Sequence, residues 1–158
     1  MQTLDTRKAT HHRRGRTRRV GRNSAVARAA LMGLLLFQGL SGLVGGAGLV
    51  SDPTGGSLHI PIDWLAGSPF NDYLIPGLFL LLILGAGVLA VAAAVWLRAR
   101  FALPAALAVG LLLLIWLGVE ILVIGYQADP PFQAVYGLVG LSIITLALLP
   151  SVRKEYRS

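Results

Sequence analysis

The chain has 158 residues, of which 55% are hydrophobic and 13% charged, with a mean hydropathy of +0.70, no cysteine and a formal charge of +7. Soluble domains carry about 25% charged residues, so the composition excludes an ordinary water-soluble domain. Without cysteine there is no disulfide framework, thiol nucleophile, Cys-ligated zinc or iron–sulfur cluster.

Residues 1–28 form a polar, Arg-rich arm with too few apolar side chains to offset the entropy of ordering, so disorder is expected there. Arg13, Arg14, Arg16, Arg18, Arg19 and Arg22 suit anionic lipid, each basic group near the surface contributing about 1 kcal/mol. The arm has no aromatic side chain for base stacking, so nucleic acid is not an expected partner. The apolar run from Ala29 to Val50 exceeds the roughly 7–15 residues of a signal-peptide core and reads as a retained span.

Three further apolar runs follow. About 20 helical residues cross ~30 Å of hydrocarbon, and the spans are expected at about 29–50, 74–97, 102–126 and 132–149. The fold class is therefore all-α: a polytopic membrane protein with four transmembrane helices in an antiparallel bundle. Short turns after Leu97 and Tyr126 make the last three helices consecutive neighbours. All 14 basic residues lie in the arm, in the Arg98–Arg100 turn or in the tail 151–158. Basic residues near span ends stay cytoplasmic, so both termini are expected inside. Trp64, Tyr73, Tyr126 and Tyr136 would mark the outer aromatic belt, and Trp96 and Phe101 the inner one. Trp116, near mid-span, is expected to pack between helices.

In lipid, helices associate through small residues that let backbones approach closely. Such residues recur at four-residue spacing: Ser41 with Gly45, Gly42 with Gly46, Ala86 with Ala90 and Ala94, and Ala102 with Ala106 and Gly110. Gly137 and Gly140 crowd the start of the last span. Spacing alone leaves open whether these faces meet within one chain or between chains.

The outer loop, residues 51–73, opens with turn chemistry at Asp52-Pro53-Thr54-Gly55-Gly56. Leu58, Ile60, Ile62 and Trp64 then alternate, which points to an extended or briefly helical segment against the membrane surface. The second helix should start near Asp72. Asp63, Asp72 and His59 do not have the spacing of a metal set, and loop carboxylates ordinarily serve turns and caps.

Glu120 is the carboxylate inside a span, about six residues from Tyr126 and hence ~9 Å along the axis from that end. Intramembrane carboxylates commonly face a bundle interior or a water-filled path. Trp116 and Gln127 share its helical stripe, and Gln38, Ser41, Ser142 and Thr145 are candidate partners from other spans. Two roles are open: a carboxyl that exchanges a proton or cation from the outer side, or a protonated group that joins helices by a hydrogen bond to Gln38 or a carbonyl.

The segments Leu36-Phe37-Gln38-Gly39-Leu40-Ser41-Gly42-Leu43-Val44-Gly45-Gly46, Asp52-Pro53-Thr54-Gly55 and Gly67-Ser68-Pro69-Phe70-Asn71-Asp72-Tyr73-Leu74-Ile75-Pro76-Gly77 resemble a family of small bacterial four-span integral membrane proteins. The Val119–Tyr126 stretch resembles that family's third helix. The resemblance covers roughly Leu31 to Leu149, implies the architecture and a bacterial inner-membrane location, and carries no activity. No Ser/His/Asp spacing, zinc-helix motif, phosphate-binding loop or intramembrane carboxylate pair is present. The expectation is a non-enzymatic structural or accessory membrane component without cofactor or metal, in contact with anionic lipids and assembled as a homo-oligomer or within a larger complex. The alternative is a small oligomeric transporter or channel component that uses Glu120.

Overall fold

The structure is a computed structural model that describes residues 5–126 and 130–156, with side chains from Ser24 onward. Every regular element among the described residues is helical. In order these are α1 (Asp5–Ser51), two 3-10 turns (Gly56–Leu58 and Ile62–Leu65), α2 (Leu74–Phe79), a π-helix (Leu80–Gly87), α3 (Val88–Trp96), α4 (Ala102–Ile124), α5 (Phe132–Leu148) and α6 (Pro150–Glu155). Helix α2, the π-helix and α3 run on as one apolar helix, Leu74–Trp96. Ser24–Ser51, Leu74–Trp96 and Ala102–Ile124 are long and apolar enough to cross a membrane, and Phe132–Leu148 is a shorter apolar helix.

The first helix corrects the expected boundary at residue 28. Its backbone is helical from Asp5, and Ser24 and Ala27 are already packed, at 6% and 9% exposed. Alanine and arginine are strong helix formers, so a helix stabilised by the span extends readily through Ala25, Ala27 and Arg28. The expected disorder of the arm is thus replaced by packed helix at residues 24–28. The side chains of Arg13, Arg14, Arg16, Arg18, Arg19 and Arg22 lie outside the described residues, as does Gln127.

The small-residue faces of the first and second apolar helices meet within the chain. A methyl group built on Gly42 would stand 2.5 Å from the Leu84 carbonyl oxygen and 2.8 Å from the Gly85 nitrogen. Gly39 lies against Leu89, Gly46 against Leu81 and Gly77, and Gly77 against Leu49, so the two helices run in opposite senses. On α1 the contact residues 39, 42, 46 and 49 are spaced three, four and three, the ordinary rhythm of an α-helix. On the partner they are 77, 81, 85 and 89, spaced four each time. At 100° per residue, each step of four drifts by ~40°, and three steps would carry Leu89 ~120° off the contact. The π-helix takes more residues per turn and brings this drift back. It therefore follows from the demand that α1 be followed along its whole length. The same rotation leaves Ala86 and Ala90 exposed, so of that expected small-residue face only Ala94 is buried.

Helices α4 and α5 pair through Gly110 and Gly140: a methyl group on Gly110 would lie 3.0 Å from the Gly140 carbonyl. The shared core holds Leu31 and Leu35 of α1, Leu84, Val88 and Val95, Ala102 and Ala106 of α4, Ile143 of α5 and Val152 of α6.

Both polar ends are folded. At one end, Tyr73 closes the loop between the first two apolar helices: its N–H donates to Pro53 O at 2.9 Å and its hydroxyl to Pro61 O at 2.8 Å. Tyr73 is 7% exposed and packs with Leu49 and Leu65, so it is a loop staple and not a member of an exposed aromatic belt. The alternating apolar segment becomes the two 3-10 turns, with Ile60 and Leu65 turned inward and Leu58 and Ile62 exposed. At the other end, α3 stops in a Schellman turn, in which Ala99 N donates to Ala94 O at 2.9 Å and Arg98 N to Val95 O at 3.3 Å. Arg98 occupies the left-handed position with φ 54, where glycine is the common residue and a side chain costs about 1 kcal/mol or more. Pro150 begins α6 at a position where a missing N–H is harmless. The expected cytoplasmic tail is thus partly a packed helix, with Val152 fully buried and the Tyr156 hydroxyl donating to Val95 O at 3.0 Å.

Candidate functional site

The one acidic side chain of the described apolar helices, Glu120, sits on α4 one turn beyond Trp116. Residues four apart on a helix face each other, and the Trp116 indole Nε1–H donates to Glu120 Oε1 at 2.7 Å. Trp116 is held in turn by Phe79 from the end of α2, with ring centroids 4.4 Å apart and planes within 18°. Offset stacking of this kind adds about 0.5–1.5 kcal/mol and leaves the indole little freedom to swing off the carboxylate. The unit thus joins α4 to the second apolar helix and aims a single donor at a carboxylate. An indole N–H donates only, so it serves the ionised carboxylate as well as the neutral acid's carbonyl oxygen.

Gln38 does not complete this unit. It is 3% exposed on α1, and its Oε1 has no hydrogen-bond partner, so the bond expected between Gln38 and Glu120 through that oxygen is not made. An unpaired buried carbonyl of this kind costs about 1–3 kcal/mol. Ser41 Oγ returns its proton to Phe37 O at 2.6 Å, and Thr145 Oγ1 to Leu141 O at 2.8 Å. Both hydroxyls are spent on their own helices, the usual habit of Ser and Thr in such segments.

Asp63 and Asp72 sit at different places in the loop. Asp63 is exposed in the second 3-10 turn. Asp72 Oδ1 accepts Leu74 N at 2.9 Å just before α2, whose first residue, Leu74, is the expected start of the second span. The carboxylate that organises the loop is Asp52. Its oxygens accept the Thr54 hydroxyl at 2.6 Å, Thr54 N at 3.1 Å and Ser57 N at 2.7 Å, and these bonds hold its pKa below the usual value, the Thr54 hydroxyl foremost. Burial pushes the Tyr73 hydroxyl above its usual value. Among the described residues there is no group of three or more His, Asp or Glu side chains that could hold a metal.

The opposite end contains groups that spacing did not single out. Arg28 Nε lies 3.6 Å from Glu155 Oε2, which ties α1 to α6. Burial raises the pKa of Tyr156, and Arg28 and Arg98 pull against that rise. Val152 and Tyr156, four residues apart in a charged tail, were the available signal for an inward helix face.

No family model, curated protein or solved structure matches the chain.

Proposed function

We propose that the chain crosses a bacterial inner membrane four times with both termini cytoplasmic, as in the family it resembles, and acts as a non-enzymatic structural or accessory component. Two geometric facts support the four crossings. Helix α4, with 23 residues, reaches roughly 35 Å at 1.5 Å per residue, and α5, with 17, reaches about 25 Å, at the short end of the spanning range. Arg28, Arg98, Arg100, Arg153 and Lys154 gather at one end while Asp52, Asp63 and Asp72 occupy the other, which supports an inside and an outside.

The observation that carries the accessory role is how the polar side chains of the outer end are used. Asp52, Ser57, Ser68, Asp72 and Tyr73 each hydrogen-bond the chain's own backbone. Their chemistry goes into holding a shaped surface, as suits a protein that presents a face to a partner. Purification from native membranes in lipid nanodiscs, followed by mass analysis, tests the reading. A stoichiometric foreign protein is expected, and a particle containing this chain alone would refute it.

A second reading, a small oligomeric component that exchanges a proton or cation, is favoured by the Trp116–Glu120 pair. It predicts flux in proteoliposomes that Glu120→Gln abolishes. Equal flux by the variant would remove Glu120 from the mechanism.

A further inference from the structure

The end that carries Arg28 has a basic surface beyond the topology signal. Arg98, Arg100, Arg153 and Lys154 are all exposed, and the acidic side chain described at this end, Glu155, is already engaged with Arg28. The two basic pairs come from separate elements, the turn after α3 and the helix α6. The Tyr156 hydroxyl on Val95 O at 3.0 Å ties the end of α6 to the end of α3, where Val95 O also accepts Arg98 N in the Schellman turn.

The apolar neighbours are equally specific. Trp96, Leu97 and Phe101 are 70%, 75% and 60% exposed, and they flank Arg98 and Arg100 on the two sides of the turn. A free aqueous surface does not ordinarily hold such large apolar groups beside arginines. The boundary between acyl chains and headgroups does, since aromatic rings anchor there and guanidinium groups reach outward to phosphate. Arg98 itself holds a backbone position that glycine would fill with less strain, so the turn has given up stability to keep a guanidinium at that spot.

We propose that the Arg98–Arg100 turn and the Arg153–Lys154 face of α6 together bind the headgroup phosphate of an anionic phospholipid in the leaflet at this end. The proposal rests on the membrane-spanning reading above. The partner is recognised by charge complementarity to the four basic groups and by acyl contact with Trp96, Leu97 and Phe101.

The test uses the full chain reconstituted in phosphatidylcholine vesicles containing a minor fraction of either brominated phosphatidylglycerol or brominated phosphatidylcholine. Trp96 quenching is taken as the difference between the wild type and Trp96→Phe. The anionic lipid is expected to quench Trp96 more strongly than the neutral lipid at equal fraction. Arg98→Gly, which supplies the ordinary residue for the turn, should keep or raise the thermal midpoint while lowering the preference roughly fivefold, the change one basic group makes near an anionic surface. An unchanged preference in Arg98→Gly/Arg100→Gln would overturn the site. Loss of the preference on adding millimolar inorganic phosphate would assign the surface to a soluble phosphate and overturn the lipid. Absence of quenching by both lipids would place Trp96 outside the bilayer and overturn the membrane-spanning reading itself.

Discussion

Replacing Gly42 with alanine puts a methyl group 2.5 Å from the Leu84 carbonyl oxygen, 2.7 Å from its carbon and 2.8 Å from the Gly85 nitrogen. All three atoms are main chain, so no side chain can rotate aside and the two helices must separate. Overpacking of this sort costs about 1–3 kcal/mol, and main-chain contacts belong at the upper end, ~3 kcal/mol. Alanine returns about 1 kcal/mol of helix propensity, which leaves a net loss of ~2 kcal/mol. Gly33, in the same helix, has nothing within 4 Å of a built methyl group, so Gly33→Ala should gain about 1 kcal/mol from propensity alone. The two variants carry the same chemical change and should differ by ~3 kcal/mol, roughly two decades in the unfolding equilibrium. The assay is reversible unfolding in mixed micelles titrated with dodecyl sulfate, followed by the fluorescence of Trp116 stacked on Phe79. If Gly42→Ala is as stable as Gly33→Ala, the helices do not cross at Gly42 and the account of the π-helix fails with it.

Three other outcomes are expected. Trp116→Phe keeps the stack on Phe79 but removes the donor to Glu120, and should cost about 1–3 kcal/mol in the same titration. Glu120→Gln, which keeps an acceptor, should cost less, and a double-mutant cycle should return a coupling of about 1 kcal/mol. Because the folded Asp52 carboxyl titrates below its ordinary 3.8, its contribution to the loop is present above that pH and lost as pH falls through the folded value. Pepsin should therefore begin to cut residues 52–60 below pH 3.8, and Asp52→Asn should be cut with no such threshold. Tyr73 works in the opposite direction: its raised pKa means the loop contribution is complete below pH 10.0 and lost as pH rises through the folded value. Tyr73→Phe should weaken the loop by about 1 kcal/mol and abolish that alkaline transition in loop proteolysis.

The apolar helices were legible because an uncharged run of spanning length is stable in lipid only when its backbone groups bond within the segment, as a helix does. Helix ends fell close to expectation where the apolar runs stop: α5 ends at Leu148 against an expected 149, and α4 at Ile124, before Gly125 with φ 75, two residues short of the expected Tyr126, whereas the helix that Pro150 opens was not expected. The π-helix was not legible. Leu80–Gly87 reads as ordinary helix, and only the rhythm of Gly39, Gly42 and Gly46 on another helix requires it to widen. The left-handed Arg98 was hidden for a related reason, since the turn chemistry that announces such a position is a glycine the chain does not have there. Of the candidate site, Trp116 with Glu120 followed from helical spacing, whereas Phe79 did not, because the rotation of one helix about its axis relative to another is absent from a single sequence. For the same reason Gln38 looked like a partner of Glu120. The tail looked like a solvated terminus because charged residues surround Val152 and Tyr156, the two that turn inward.

The closure of the loop between the first two apolar helices by Tyr73 also bears on how much foreign chain the protein can carry. With Tyr73 N bonded to Pro53 O, the segment leaves and returns at one point. Gly67 stands in open space on this loop, with no atom within 4 Å of a built methyl group. Loop closure entropy grows only logarithmically, and doubling the loop costs about 0.6 kcal/mol. An epitope or a small folded reporter inserted at Gly67 would therefore leave the helices undisturbed, and whichever side of the membrane displays it is the side on which this loop resides.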